Sequence, residues 1–84
     1  MWFVYMVRCA DTSLYTGIAS NVERRILEHN HSSRIGSKYV RARRPVALVY
    51  KEKATSRNAA LRREAAIKKL SRRAKEQLIN SHEY

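Results

Sequence analysis

Residues 2–17, WFVYMVRCADTSLYTG, carry the pattern that decides the fold. Trp2 to Arg8 is rich in aromatic and β-branched residues, which predicts a strand. Asp11-Thr12-Ser13 supplies turn chemistry, and Leu14 to Gly17 predicts a second, shorter strand. Because the link between them is too short for a crossover, we expect the two strands to form an antiparallel hairpin.

A helix is predicted directly after this hairpin. Ser20 and Glu23 have the Ser-x-x-Glu spacing of a capping box, so the helix should start near Asn21 and run to about His29. Arg25 and His29 are an i, i+4 pair and should project from one side of that helix.

The remaining residues complete one α+β domain. Residues 30–44 resemble a basic loop, and Val46 to Tyr50 predicts a third strand. A second helix should begin after Thr55 or Ser56, and Ser71 is expected to cap a short third helix through Ile79. The predicted order is β-β-α-β-α-α, a small sheet with helices packed on it, in a single domain over residues 1–84.

The charge balance indicates an anionic partner. Eighteen Lys and Arg residues against seven Asp and Glu give a net charge of +11. Nucleic acid is the first candidate and an anionic membrane surface the second. Cys9 is the only cysteine, which excludes an intrachain disulfide, and Trp2 to Val7 is too short to span a membrane. We therefore expect a cytoplasmic protein.

Five residues with useful chemistry stand in order along the chain: Tyr5, Tyr15, Arg25, His29 and Glu64. Hairpin pairing should bring the two phenols into one neighbourhood, although each is by itself an ordinary strand tyrosine. Arg25 suits stabilisation of an anionic transition state, and His29 could orient a phenol or lie exposed at the helix end. Glu64 is either a ligand for Mg²⁺ or Mn²⁺, or the partner of a nearby arginine.

The basic segment supplies the candidate contacts to nucleic acid. Such contacts give salt-sensitive binding with little reading of sequence. Tyr39 could stack on a base or simply pin the segment down. The predicted nucleic-acid-binding residues are Arg34, Lys38, Tyr39, Arg41, Arg43 and Arg44.

This ordered set resembles the GIY-YIG nuclease domain, in particular its small stand-alone bacterial members. Phe3-Val4-Tyr5 stands where the first family triplet would be, and Tyr15-Thr16-Gly17 stands where the second would be. Arg25 matches the family arginine, His29 the histidine or tyrosine one turn later, and Glu64 the metal-binding glutamate.

The resemblance implies a central three-stranded antiparallel sheet flanked by helices, and metal-dependent hydrolysis of DNA. On that template Glu64 holds one Mg²⁺ or Mn²⁺ ion, and Tyr15 or Tyr5 acts as general base. His29 assists the base, and Arg25 steadies the phosphate.

The chain departs from the family pattern in three places. Phe3 replaces the name-giving glycine, and Thr16 replaces the isoleucine, but neither side chain is needed for the chemistry. Many family nucleases have a late asparagine near the site, and Asn80 is the candidate after Glu64. Many also owe DNA targeting to a second domain, so a targeting partner protein is a further expectation.

These residues are compatible with three functions. The first is a metal-dependent DNA endonuclease, with branched or damaged DNA in repair as its substrate. The second is a catalytically weak nucleic-acid-binding module for DNA or structured RNA, which would bind in a salt-dependent way without cutting. The third is a basic adaptor that docks on an acidic protein.

Overall fold

The computed structural model describes residues 1–32 and 38–81, so the predicted contact Arg34 lies outside the described residues. The α+β fold class is confirmed, with a three-stranded antiparallel sheet and helices on both of its faces. The elements in chain order are β1 (Trp2–Arg8), β2 (Leu14–Ala19), α1 (Val22–His31), α2 (Lys38–Arg41), β3 (Ala47–Ala54), α3 (Arg57–Lys68) and α4 (Arg72–Ser81).

The sheet has the order β2-β1-β3, which makes β1 central and leaves β2 at an edge. The hairpin pairs Tyr5 with Gly17 and Val7 with Tyr15, so both tyrosines lie on the same face. β3 runs to Ala54, beyond the predicted Tyr50, because its last residues pair with the first half of β1.

Each face of the sheet has its own core. Tyr5 and Val7 pack against α1 and α2 through Val22 and Val40. On the opposite face, Val4 and Met6 are buried against Ala60 and Ile67 of α3, and Leu78 and Ile79 of α4 cover the margin. The alternation of side chains along β1 therefore divides the molecule into a tyrosine side and an α3–α4 side.

The helix-capping residues agree with the sequence in two cases and differ in one, although the first helix does start near Asn21 as predicted. Ser56 accepts a hydrogen bond from the amide of Ala59 at 3.0 Å, and Ser71 accepts one from Ala74 at 3.1 Å, as predicted. The predicted capping box of Ser20 is wrong. Asn21, one residue later, accepts from the amide of Arg24 at 3.0 Å, and asparagine caps as well as serine does.

The segment predicted as a loop is partly helical. α1 continues to His31, and α2 forms a short helix whose Val40 is fully buried. The Asn30 side chain accepts from the amide of Val46 at 2.8 Å and donates to its carbonyl at 3.1 Å. This pair of bonds ties the end of α1 to the start of the third strand. Within the described residues, no helix is both long and apolar enough to cross a membrane.

Gly17 is required by the ring that lies over it. A Cβ atom there would be 2.7 Å from the Tyr5 hydroxyl oxygen and 2.9 Å from its Cζ atom. We expect Gly17→Ala to lower the free energy of unfolding by about 1–3 kcal/mol, measured by urea titration. Tyr5→Phe removes the nearest of these atoms. The double variant of Gly17→Ala and Tyr5→Phe should therefore lose less free energy of unfolding than the two single variants lose in sum. Additive losses of free energy would contradict the contact.

Candidate active site

Tyr5 and His29 form a buried pair at the centre of the tyrosine side. The Tyr5 hydroxyl lies 2.8 Å from Nε2 of His29, a hydrogen bond whose donor depends on the imidazole tautomer. Tyr5 is 1% exposed and His29 is 0% exposed. His29 is therefore a core residue, and the exposed position considered from the sequence is wrong. Among the described residues, its Nδ1 atom has no hydrogen-bond partner.

Burial keeps both members of this pair neutral at neutral pH. It raises the pKa of Tyr5 to about 12, although the positive charge of Arg25 opposes the increase. Burial also lowers the pKa of His29, and the Arg25 charge lowers it further. A neutral phenol bonded to a neutral imidazole is suited to holding geometry or relaying a proton, rather than to taking a proton from water at neutral pH.

The neutral state of His29 makes stability depend on pH. Below its ordinary pKa of 6.5, the unfolded chain binds a proton that the folded state excludes. The free energy of unfolding should therefore fall as pH drops below this value, with a limiting slope of about 1.4 kcal/mol per pH unit. Urea titrations between pH 7.5 and pH 5.5 measure this slope.

The matched pair of variants for this prediction is His29→Gln and His31→Gln. His31 is exposed at the end of the same helix. The pH dependence should flatten in the first variant and persist in the second. Equal slopes in wild type and His29→Gln would contradict the neutral, buried imidazole.

Arg25 is held beside the pair by a carboxylate that sequence reasoning missed. Its Nη1 atom donates to Oε1 of Glu28 at 3.2 Å, and Arg24 makes a second ion pair with Glu28 at 3.4 Å. The i, i+3 spacing of Arg25 and Glu28 is a signal that could have predicted this contact. The Arg25 side chain remains 35% exposed, so its guanidinium is accessible to a ligand.

Tyr15 is the phenol that faces open space. The edge of its ring meets His29 at a centroid distance of 5.6 Å and an interplanar angle of 74°. It also lines a cavity of about 290 Å³. The other lining residues are Leu14, Thr16, Tyr39, Lys68 and Lys75.

A second cavity, of about 270 Å³, borders the other end of the same edge strand. It is lined by Arg24, Arg25 and Glu28 on the α1 side, and by Trp2 and residues 18–21 on the sheet side. The side chains of Tyr15 and Arg25 therefore line two separate concave surfaces, one at each end of β2.

Glu64 reaches this edge from the α3–α4 side. Its Oε2 atom lies 3.4 Å from the ammonium of Lys68, which lines the cavity beside Tyr15. Burial is the main reason why the pKa of Tyr5 is raised, and the Glu64 carboxylate adds to it. The carboxylate thus lies within electrostatic reach of Tyr5. Its ion pair is with a lysine rather than with the arginine considered from the sequence.

Among the candidate site residues, Glu64 is the carboxylate that could serve as a ligand for a hard divalent cation. Within residues 1–32 and 38–81, no group of three or more His, Cys, Asp or Glu side chains could hold a metal ion. Mg²⁺ and Mn²⁺ favour oxygen ligands, and Mg²⁺ in particular is often held by one or two carboxylates, with water and substrate phosphate completing its shell. Glu64 is 19% exposed and matches that need.

The predicted nucleic-acid contacts within the described residues lie on α2 or directly after it. Lys38 is exposed on α2 and Arg41 is half-buried on the same helix. Arg43 and Arg44 make contacts within the protein. Arg44 donates to the carbonyl oxygens of His29 and Ser32 and thereby caps the end of α1. Asn80, left open from the sequence, is exposed near the end of α4.

Comparison with known proteins agrees with this architecture. The GIY-YIG catalytic domain family matches residues 1–77. A UPF0213 protein of Desulfotalea psychrophila is 54% identical over 82 residues, which cover 98% of this chain and 74% of that protein. A UPF0213 protein of Natronomonas pharaonis is 51% identical over 77 residues, covering 92% of this chain and 88% of that one.

Two solved structures share the fold. The solution NMR structure of a UPF0213 protein from Bacillus halodurans is 44% identical, with a TM-score of 0.59 over 95% of this chain and 84% of that one. An E. faecalis protein, also solved by NMR, is 38% identical, with a TM-score of 0.62 over 98% and 90% of the respective chains.

The fold and the site together define a nuclease-type domain. The chain belongs to the GIY-YIG catalytic domain family, and its relatives at about half identity are the UPF0213 proteins. Family membership supports an endonuclease in general, with nucleic acid as its substrate.

Proposed function

We propose that this protein is a divalent-metal-dependent endonuclease that hydrolyses DNA phosphodiester bonds in the cytoplasm. One observation carries the proposal: two phenols, a buried imidazole, a guanidinium and a carboxylate from four elements gather around edge strand β2. A group that only bound DNA would have no need of a half-buried carboxylate beside its cations, because that charge repels phosphate.

We propose different tasks for the two tyrosines. Tyr5 is buried and its pKa is raised by that burial to about 12, so it serves to hold His29. Tyr15 lines the open cavity, where a water molecule and a phosphate can reach it. We therefore assign Tyr15, after its hydroxyl has released its own proton to solvent, as the group that accepts the proton of the attacking water, with His29 against its ring.

Arg25 and Glu64 complete the proposed chemistry. The accessible guanidinium of Arg25, braced by Glu28, can form charge-assisted hydrogen bonds to the phosphate as negative charge develops. Glu64 would hold Mg²⁺ or Mn²⁺, which supplies stabilisation of negative charge on the phosphate and leaving oxygen. In this structure Lys68 pairs with Glu64. Once a cation is bound to the Glu64 carboxylate, the Lys68 ammonium would be available to bind phosphate.

The cavity beside Tyr15 extends the DNA interface beyond the basic segment. Lys75 lines it from α4, and the adjacent Glu76 is clamped by Arg8 through two bonds of 2.7 and 2.8 Å. This clamp fixes Lys75 next to the site. We expect Lys75→Gln to weaken DNA binding and to reduce the slope of log affinity against log salt by about one.

Lys53→Gln is the matched control for Lys75→Gln. Lys53 is exposed on β3, the opposite edge of the sheet, and its loss changes the net charge equally. Fluorescence anisotropy at several salt concentrations measures both variants. Equal salt slopes for the two would mean that Lys75 contributes only general charge.

A panel of labelled DNAs tests the proposed activity. Duplex, single-stranded, flap and four-way-junction substrates are incubated with Mg²⁺, Mn²⁺ or EDTA, and with structured RNA in parallel. Metal-dependent cleavage of DNA is the expected result, and a preference for branched substrates would support a role in repair. Salt-dependent binding with no product would favour the binding module, or an enzyme that needs a targeting partner.

A further inference from the structure

A continuous array of side chains runs from the hairpin turn to the proposed catalytic phenol. Asp11 accepts a hydrogen bond from Nε of Arg43 at 2.9 Å, and the Arg43 guanidinium lies 3.8 Å from the centroid of the Tyr39 ring. The Tyr39 ring in turn stacks on Tyr15 at 6.1 Å and 25°. The Tyr15 ring also contacts His29, which bonds Tyr5.

Two contacts involve the Tyr39 ring. It stacks on Tyr15, and the guanidinium of Arg43 lies over it. Both contacts use the aromatic ring on which a nucleobase would stack. Arg43 is also engaged, because its Nη1 atom donates to the Tyr39 carbonyl at 3.0 Å.

The far end of the array is anchored at the turn that leads into β2. The second oxygen of Asp11 accepts from the amide of Ser13 at 3.0 Å and from its hydroxyl at 2.6 Å. These bonds are the main reason why the pKa of Asp11 is lowered, so its carboxylate is ionised at neutral pH. The backbone amide of Ala10 donates a hydrogen bond of 2.9 Å to the carbonyl oxygen of Arg43. This bond also connects the hairpin turn to the segment that contains Arg43.

We infer that Asp11, Arg43 and Tyr39 are positioning residues that hold the ring of Tyr15 between Tyr39 and His29. This inference deepens the proposed function and depends on it for the role of Tyr15. It gives Arg43 and Tyr39 a role other than the predicted contact with nucleic acid. Tyr39 contacts the Tyr15 ring at the cavity that both residues line, beside edge strand β2.

The test separates turnover from binding in Tyr39→Leu, Tyr39→Phe and Arg43→Gln. A misplaced catalytic group costs up to roughly 100-fold in rate, so Tyr39→Leu should lower kcat by about 10- to 100-fold at saturating DNA. Arg43→Gln should lower it by about twofold to fivefold, the range of one exposed cation–π contact. Tyr39→Phe keeps the ring and should cut near the wild-type rate, and DNA affinity should hold in all three.

A spectroscopic readout keeps the inference independent of activity. In protein carrying ¹³C-labelled tyrosine, the ring signals of Tyr15 should shift in Tyr39→Leu and Arg43→Gln, because the ring current of Tyr39 is removed or moved. They should not shift in Lys53→Gln, which removes the same charge from the far edge of the sheet. If wild type cuts no DNA but these shifts occur, the proposed function fails and the positioning stands.

Two results would overturn the inference. The first is weaker DNA binding and a smaller salt slope in Arg43→Gln or Tyr39→Leu with kcat unchanged, which would make both residues contacts to DNA. The second is unchanged kcat together with unchanged Tyr15 signals. Circular dichroism monitors folding, and Arg43→Gln carries the test if Tyr39→Leu does not fold.

Discussion

Glu64→Gln is expected to lower metal-dependent DNA cleavage by roughly 1,000-fold or more, because a catalytic cation contributes several kcal/mol of transition-state stabilisation. Glutamine keeps the shape of the side chain and removes the charge that would hold the cation. The fold should survive, since the pair with Lys68 is a 3.4 Å surface contact between residues one turn apart. DNA binding should hold or tighten, because a negative charge is removed.

Glu23→Gln is the matched control for this prediction. Glu23 lies in the first turn of α1, is 71% exposed and pairs with Lys51 at 3.3 Å, so its loss changes the net charge in the same way. This variant should cut as wild type does. Mn²⁺ binding, followed by the electron paramagnetic resonance signal of the free ion, should weaken in Glu64→Gln and stay unchanged in Glu23→Gln. Equal binding of Mn²⁺ in both would remove Glu64 from the metal site.

Tyr15→Phe is expected to reduce kcat by about 100- to 10,000-fold, the range for losing a general acid–base group. The phenyl ring preserves the contacts with His29 and Tyr39, so the fold and the affinity for DNA should be retained. Single-turnover cleavage at saturating enzyme measures the chemical step without interference from product release.

Tyr50→Phe is the control for the loss of a tyrosine hydroxyl outside the proposed site. Tyr50 packs on the α3–α4 side of the sheet, where its hydroxyl donates to Glu52 at 2.7 Å. Its removal should leave kcat unchanged. A Tyr15→Phe protein that cuts as fast as wild type would transfer the role of base away from Tyr15.

The sequence predicted the hairpin because local signals decide it. The alternation in β1 and the turn residues after it require an antiparallel pair, so the proximity of Tyr5 and Tyr15 followed. The register could not be predicted, because a slip of one residue changes which side chains share a face. The position of Tyr5 opposite Gly17, and hence the need for glycine there, became visible only in three dimensions.

In the basic segment, counting charged residues does not predict which side chains make contacts within the protein. Arg43 and Arg44 have the same composition signal as Lys38, yet their guanidinium groups bind Asp11 and the end of α1. Those partners are 12 to 32 residues away in sequence, so no local sequence pattern predicts these contacts. The contact of Glu64 with Lys68 is different, because i, i+4 spacing alone could have suggested it.

The burial of His29 was also beyond the sequence. The i, i+4 spacing placed it on the side of Arg25, but the last turn of a helix is usually exposed. Here Arg44 caps that turn and α2 packs beside it, which encloses the imidazole against Tyr5 and Tyr15. A core histidine with an unpartnered Nδ1 among the described residues results from this packing.

The central claim is that this site cuts DNA with a cation held by Glu64. The most direct test is the single-turnover rate on the best-cut DNA of the panel, measured with Mn²⁺ and with EDTA for wild type and Glu64→Gln side by side. We expect rapid cleavage by wild type with Mn²⁺, and none with EDTA or in the variant. Equal rates in the two proteins, or no cleavage by wild type despite salt-sensitive binding, would contradict it.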